Sequence, residues 1–264
     1  MHDFISKEFM DIYKTLGSKY DYRETFFNFL KMSSIAIYNA FANNQKLEDE
    51  YLSTINIYNK EDQDLFPRWF AELVMLYERQ EQPTDILGPF YENQNLNTAH
   101  IGQFFTPTHI SDFMVECIID DETKIKKAIV DKGYITFNEP TCGAGGMIIS
   151  FAKTLKNKHI NYQKDLLVVA NDISDICVYM TYIQLSLQGI PAIVCCGDTL
   201  TQEIRFKLET PLYFLYFWKF KDSFTEQKLE KNIIKTQNQV MANTITENKF
   251  TEVSIKGNCQ ISLF

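Results

Sequence analysis

Hydrophobic positions recur at helical spacing through the first hundred residues. Phe26, Phe27, Leu30, Ile35 and Tyr38 form one stripe, and Leu65, Trp69, Leu73, Leu76 and Tyr77 form another. Spacings of three and four residues put such side chains on one face of a helix, and aromatic stripes of this kind predict helix packing rather than base stacking. Pro67 suits the first turn of the second helix, with Asp62 or Asp64 as its cap. Pro83 and the turn Ile86-Leu87-Gly88-Pro89-Phe90 then break the pattern, and the polar run Glu92-Asn93-Gln94-Asn95-Leu96-Asn97 leads onward. This places a joint between a helical N-terminal domain, 1–98, and a second domain, 99–264.

The second domain changes period. Pro107-Thr108-His109 opens a helix whose expected apolar face is Ile110, Phe113, Met114 and Cys117. Strand-like runs at 135–137, 166–170 and 192–196 then alternate with helix-like runs at 147–155 and 176–187, the second stopped by Gly189 and Pro191. The alternation predicts an α/β fold of βαβ crossovers with a parallel sheet covered on both faces. Beyond it, the aromatic run Phe214-Leu215-Tyr216-Phe217-Trp218 is expected to pack as sheet core. A charged helix is expected over 223–241. Alternating runs at 250–255 and 259–264, about a turn at Lys256-Gly257-Asn258, are expected to close the sheet's far edge.

Composition narrows the functions. Hydrophobic residues at 45% and charged residues at 23% give enough apolar material for a packed core over 264 residues. A net charge of −8 argues against a protein that grips nucleic acid by its overall field. Residues 201–264 nevertheless carry nine Lys/Arg against seven Asp/Glu, which permits a DNA-facing C-terminal part. The six cysteines form no Cys-x-x-Cys pair and most lie in apolar runs, so no metal is expected and the thiols are read as free and cytoplasmic. No apolar run approaches the roughly 20 residues of a membrane span, so no membrane partner is expected.

The chemistry gathers at the strand ends, where ligands sit in sheets of this class. Glu139-Pro140-Thr141-Cys142-Gly143-Ala144-Gly145-Gly146 lies between a strand and a helix. Glycines there let backbone approach a ligand, and the amides at a helix start add donors. Neither the dinucleotide nor the NTP glycine pattern can be written on this turn, which brings S-adenosylmethionine forward. Glu139, Asp172 and Asp198 each follow a strand. Any one alone is as readily an ordinary helix cap; together with the glycine turn they suggest a single cofactor site. Asp172 is placed to accept ribose hydroxyls, Asp198 the adenine amino group, and Glu139 faces the cationic methionine end. Ile173 and Leu200 would wall the adenine.

These residues resemble the adenine-specific DNA methylases of the class that includes the modification subunits of type I restriction systems, and most of all short relatives carried by phages and mobile elements. Gly102-Gln103-Phe104-Phe105-Thr106-Pro107 is similar to the family's first motif, and 139–146 to its cofactor loop. The resemblance implies a Rossmann-like S-adenosylmethionine-dependent methyltransferase sheet. It implies cofactor contacts from Phe105, Thr106, Pro107, Glu139, Thr141, Gly143, Gly145, Asp172, Ile173 and Asp198, with DNA as the substrate. The family's Asn/Asp-Pro-Pro-Tyr/Phe motif is matched to Thr210-Pro211-Leu212-Tyr213, giving Thr210, Pro211 and Tyr213 as catalytic, with Glu209 as a neighbouring acceptor. With Thr210 in place of the amide, the resemblance implies an adenine-N6 DNA methyltransferase, either active or attenuated. The alternative is a catalytically silent cofactor-binding or DNA-associated accessory protein. Methylation of another amide or amino group, in RNA or protein, is a third reading. The 51 residues after Tyr213 are too few for a target-recognition domain as well as the rest of the sheet, so readout is expected from a specificity subunit, from the N-terminal helical domain or through weak sequence preference, the acidic net charge favouring a specificity subunit or a homodimer.

Overall fold

The computed structural model describes residues 5–96, 104–119, 121–220 and 260–262. The N-terminal stripes become buried faces within six helices: α1 (Lys7–Tyr20), α2 (Tyr22–Ala42), α3 (Gln45–Ile55), α4 (Lys60–Gln63), α5 (Leu65–Glu78) and α6 (Leu87–Asn93). Trp69 is fully buried against Phe9, Phe26 and Phe66, and stacks on Phe29 at 4.0 Å between ring centroids. Of the two expected caps, Asp64 occupies the N-cap position of α5 without a side-chain cap bond. Asp62 is buried instead, accepting hydrogen bonds from Lys19 Nζ at 2.7 Å and the Tyr20 hydroxyl at 2.9 Å. The expected joint falls in residues 97–103, outside the described residues. One hydrophobic core nevertheless runs without a break from Phe9 through Phe90 and Tyr91 to the sheet residues Phe137, Val168 and Val194.

Past the joint come α7 (Thr108–Ile118), α8 (Glu122–Lys132), β1 (Ile135–Glu139), α9 (Gly146–Asn157), α10 (Tyr162–Asp165), β2 (Leu166–Asp172), α11 (Asp175–Leu187), β3 (Ala192–Asp198), β4 (Glu203–Glu209), α12 (Pro211–Phe220) and β5 (Gln260–Ser262). The sheet order is β4-β3-β2-β1-β5. Period-two alternation divides the strands between two cores. Phe137, Val168 and Val194 join the large core, which includes residues of α9, α11 and the N-terminal helices, while Leu167, Ile193 and Cys195 join a small cluster with Tyr134 and with Tyr213 of α12.

Three sequence expectations are corrected here. The sheet is mixed: β1, β2, β3 and β5 are parallel, but β4 runs antiparallel to β3. Only residues 199–202 separate β3 from β4, and a parallel return needs a crossover of about a dozen residues. Gly197 marks a register shift in this pair, where a Cβ would collide with the Glu203 carbonyl. Secondly, α7 is rotated from its expected face. Ser111 and Val115 are buried, whereas Ile110 and Phe113 are 42% and 65% exposed and Cys117 is exposed. The small Ser111 and Val115 allow close approach to α9, and Lys153 of α9 pairs with Asp112 at 2.8 Å. Thirdly, the aromatic run after Tyr213 belongs to helix α12 rather than a strand, with Pro211 in its first turn. The expected features at 223–241, 250–255 and 256–258 lie outside the described residues.

Candidate cofactor site at the carboxyl edge of the sheet

The parallel strands β1, β2 and β3 bring Glu139, Asp172 and Asp198 to one edge, with Glu139 ending opposite Ala170 and Asp172 opposite Cys196. The glycine turn is held against this edge by backbone bonds. The Cys142 N–H donates to the Asn171 carbonyl at 2.8 Å, and the Gly145 N–H to the Cys142 carbonyl at 2.8 Å. Gly143 and Gly145 have φ of 54° and 91°, a region that disfavours side chains. The Gly143 N–H donates to Asp172 Oδ2 at 2.8 Å, while Asp172 Oδ1 accepts the Ser174 N–H at 2.9 Å. Asp172 therefore joins the turn after β1 to the start of α11 and keeps further lone pairs for a ligand.

Glu139 is buried, and its nearest amide donor, Thr141 N–H, is 3.4 Å from Oε1. Burial pushes its carboxyl above the ordinary range, and the Asp172 charge adds to this. Burial also raises Asp172, against the lowering effect of its amide bonds. Two carboxylates held together at such cost are suited to a cation or to hydroxyl donors. Asp198 has a different local role: its Oδ1 accepts the N–H groups of Leu200 at 2.8 Å and Thr201 at 3.3 Å. Around the edge, Ile173 and Leu200 are 64% and 77% exposed, apolar surface beside an otherwise polar rim. Phe105 lies over the turn, so close that a Cβ on Gly143 would meet its ring at 3.0 Å. Thr106 and Pro107 are exposed just before α7, while Gly102 and Gln103 lie outside the described residues.

The structure adds residues that the sequence reading passed over. The Phe105 N–H donates to Glu92 Oε1 at 2.9 Å, so the supposed linker residue Glu92 anchors the segment that covers Gly143. Thr199 Oγ1 accepts from Asn171 Nδ2 at 2.6 Å and donates to the Pro140 carbonyl at 2.6 Å, tying three strand tips together. Asp85 Oδ1 accepts the Gly88 N–H at 3.0 Å, and Oδ2 faces Gly146 at the start of α9, where a Cβ would lie 3.2 Å from it. Gly88-Pro89, expected as a turn, lies in the first turn of α6, and a carboxylate three residues before Gly88, with Glu92 seven residues on, was the available signal.

Burial raises Asp85 to about 6. A carboxyl group whose folded pKa is raised stabilises the fold at low pH and loses that contribution as pH rises through the folded value. Asp85→Asn keeps an oxygen for Gly88 and removes the buried charge. It is expected to raise the thermal midpoint at pH 7.5 by more than at pH 5; an equal shift at both values in melting scans would contradict this.

The catalytic assignment to Thr210, Pro211 and Tyr213 is overturned by the same topology. Because β4 is antiparallel, Glu209 pairs with Ile193 near the amino end of β3, whereas Asp198 pairs with Glu203. Thr210 thus stands at the opposite edge from Asp172. Its side chain is fully buried, accepting the Ala192 N–H and donating to the Ile190 carbonyl, both at 2.8 Å. Tyr213 packs into the small core, and Glu209 Oε2 accepts the Tyr38 hydroxyl at 3.0 Å. Thr210→Val is expected to cost about 1–3 kcal/mol in urea unfolding, the penalty for orphaning two backbone groups, with cofactor affinity unchanged; a large loss of affinity in the folded variant would restore the segment to the site. The strand beside β1 on its free side is β5, whose Ser262 pairs with Asn138 near the cofactor edge.

Among the described residues no helix is long and apolar enough to cross a membrane, and no cluster of three or more His, Cys, Asp or Glu is arranged for a metal. No curated protein matches this sequence. The family model of the N-6 DNA methylases matches residues 82–257, which takes in α6, the glycine turn and all three acidic strand tips. The chain belongs to the N-6 DNA methylase family.

Proposed function

We propose that the chain binds S-adenosylmethionine at the carboxyl edge of β1, β2 and β3 and serves the N6 methylation of adenine in DNA. The observation that carries this is the Asp172 carboxylate, held by the Gly143 and Ser174 amides at the tip of β2 and opposite a turn with two left-handed glycines. Asp172 would take the ribose hydroxyls, Glu139 the cationic end, and Ile173 with Leu200 the adenine faces. Thr141, Gly143 and Gly145 supply backbone, Phe105, Thr106 and Pro107 border the methionine end, and Asp198 borders the base. When bound, the cofactor supplies an electrophilic methyl group; the protein's part is to hold and orient it and to exclude water around it.

A second reading, a silent accessory protein, is favoured by one observation. Thr210-Pro211-Leu212-Tyr213 is structural and at the wrong edge, so the described residues of the cofactor edge do not include the acceptor-side motif that the family resemblance implies. Both readings fit a cytoplasmic protein acting with a specificity subunit or as a homodimer, in restriction-modification or in a phage or mobile element. In both, 1–98 is a helical scaffold and 99–264 a Rossmann-like domain.

Tritium transfer from labelled S-adenosylmethionine separates them. The first reading expects label at adenine N6 in DNA of mixed sequence. Binding of S-adenosylhomocysteine without label transfer would leave the accessory role, and label confined to RNA or protein would overturn the DNA assignment.

A further inference from the structure

Helix α11 is buried along its length from Ile176 to Leu185, yet that stretch contains Thr181 and Gln184, both fully buried. Burying an amide and a hydroxyl is unfavourable unless each is hydrogen-bonded, so their partners show what they are for. Thr181 Oγ1 donates to the Gly143 carbonyl at 2.8 Å, and Gln184 Nε2 to the Ala144 carbonyl at 2.6 Å. The two side chains, one helical turn apart, thus hold successive carbonyls of the glycine turn. A Cβ on Gly145 would meet Thr181 Oγ1 at 3.2 Å, so the turn lies directly on this face.

Gln184 also reaches the other way. Its Oε1 accepts the Tyr77 hydroxyl at 2.6 Å and the Ile86 and Leu87 N–H groups at 2.9 and 3.2 Å, and its Nε2 donates to Asp85 Oδ1 at 2.9 Å. One amide therefore bridges the last turn of α5, the segment that starts α6, and the cofactor turn. Farther along the helix, Gln188 Oε1 accepts the Thr84 N–H at 2.6 Å without contacting the turn.

We propose that Thr181 and Gln184 are positioning residues for the cofactor turn, with Gln184 fixing that turn to the segment 84–88 so that the N-terminal helices set its shape. This rests on the cofactor reading above for its consequence, but the geometry is a property of the ligand-free chain. A carbonyl of a left-handed glycine turn has no ladder partner, and without Thr181 and Gln184 the turn would sample other conformations before binding, which weakens apparent affinity in proportion to the competent population.

The experiment is amide hydrogen exchange on the ligand-free chain, followed by calorimetric titration with S-adenosylhomocysteine, for the native protein, Gln184→Met, Thr181→Val and Gln188→Met. The expected result is exchange at Gly143 and Gly145 at least about tenfold faster in Gln184→Met and in Thr181→Val, with a tenfold weaker Kd, of the order that loss of one buried hydrogen bond gives. Gln188→Met is expected to lower thermal stability while leaving both readouts within twofold. Unchanged exchange at the turn in folded Gln184→Met overturns the proposal. If Gln184→Met does not fold, Thr181→Val decides by the same criterion. No binding by the native chain would sink the cofactor reading, while the exchange rates would still decide whether these two side chains position the turn.

Discussion

Asp172→Ala is expected to weaken S-adenosylhomocysteine binding by about 100-fold or more. The estimate follows from charge-assisted hydrogen bonds to ribose hydroxyls, each worth about 1.5–3 kcal/mol, with 1.4 kcal/mol per tenfold in affinity. Removing the carboxylate also frees the Gly143 and Ser174 N–H groups, so the turn loses its tether to β2 as the ligand loses its acceptor. Asp172→Asn separates two effects. Its amide oxygen keeps one tether, and the cost of a buried charge disappears. Burial holds the Asp172 carboxyl above its ordinary range, so its contribution to stability is present at low pH and lost as pH rises through the folded value. At pH 7.5 the Asn variant, which keeps one tether, should therefore be more heat-stable than Asp172→Ala while binding more weakly than the native chain. For the native chain, affinity should fall as pH is lowered, beginning above the usual carboxylate range. Equal binding heats for native and Asp172→Ala would remove this residue from the site.

Trp69→Ala is expected to destabilise the protein by about 3–5 kcal/mol, the range for deleting a buried aromatic side chain. Trp69 is wholly enclosed, touching rings from α1, α2 and α5, and its removal leaves a cavity among side chains that are themselves fully buried. Trp69→Phe should cost far less, because the indole Nε1 makes no hydrogen bond among the described residues. The effect should reach the cofactor edge, since Phe9 and Phe26 of this cluster contact Phe90, Phe26 contacts Tyr91, and Tyr91 contacts Phe105 with centroids 5.8 Å apart. Urea unfolding measures the first effect and cofactor titration of the folded fraction the second. A loss below about 2 kcal/mol for Trp69→Ala would show that the helices repack around the gap.

Much of this architecture was legible one-dimensionally. The strand and helix runs from Ile135 to Asp198 appear where the alternation put them, because β2 and β3 are apolar on both faces, β1 alternates apolar with polar residues, and each long helix ends at its own glycine or turn. The glycine turn was legible from its composition: Gly143 and Gly145 adopt the backbone angles for which glycine is suited. The face of α7 was not. Four apolar residues at helical spacing pointed to one side, but contact with α9 selected the smaller Ser111 and Val115. Residue types alone do not place the segment at Thr210, because the direction of β4 decides which edge of the sheet it reaches. The short connection 199–202 already carried the answer, since so few residues allow only an antiparallel return.

By itself the amino-acid order determined the alternating period from 135 to 198, the glycine turn, and the placing of one acid at the end of each of β1, β2 and β3, since those features depend on local sterics and on neighbours within a few residues. Tertiary structure alone decided that Asp85, Thr181 and Gln184 would converge on the glycine turn, that Glu92 would hold the Phe105 segment over it, and that β5 would lie beside β1. These depend on partners far apart in the sequence, which no local pattern of side chains encodes.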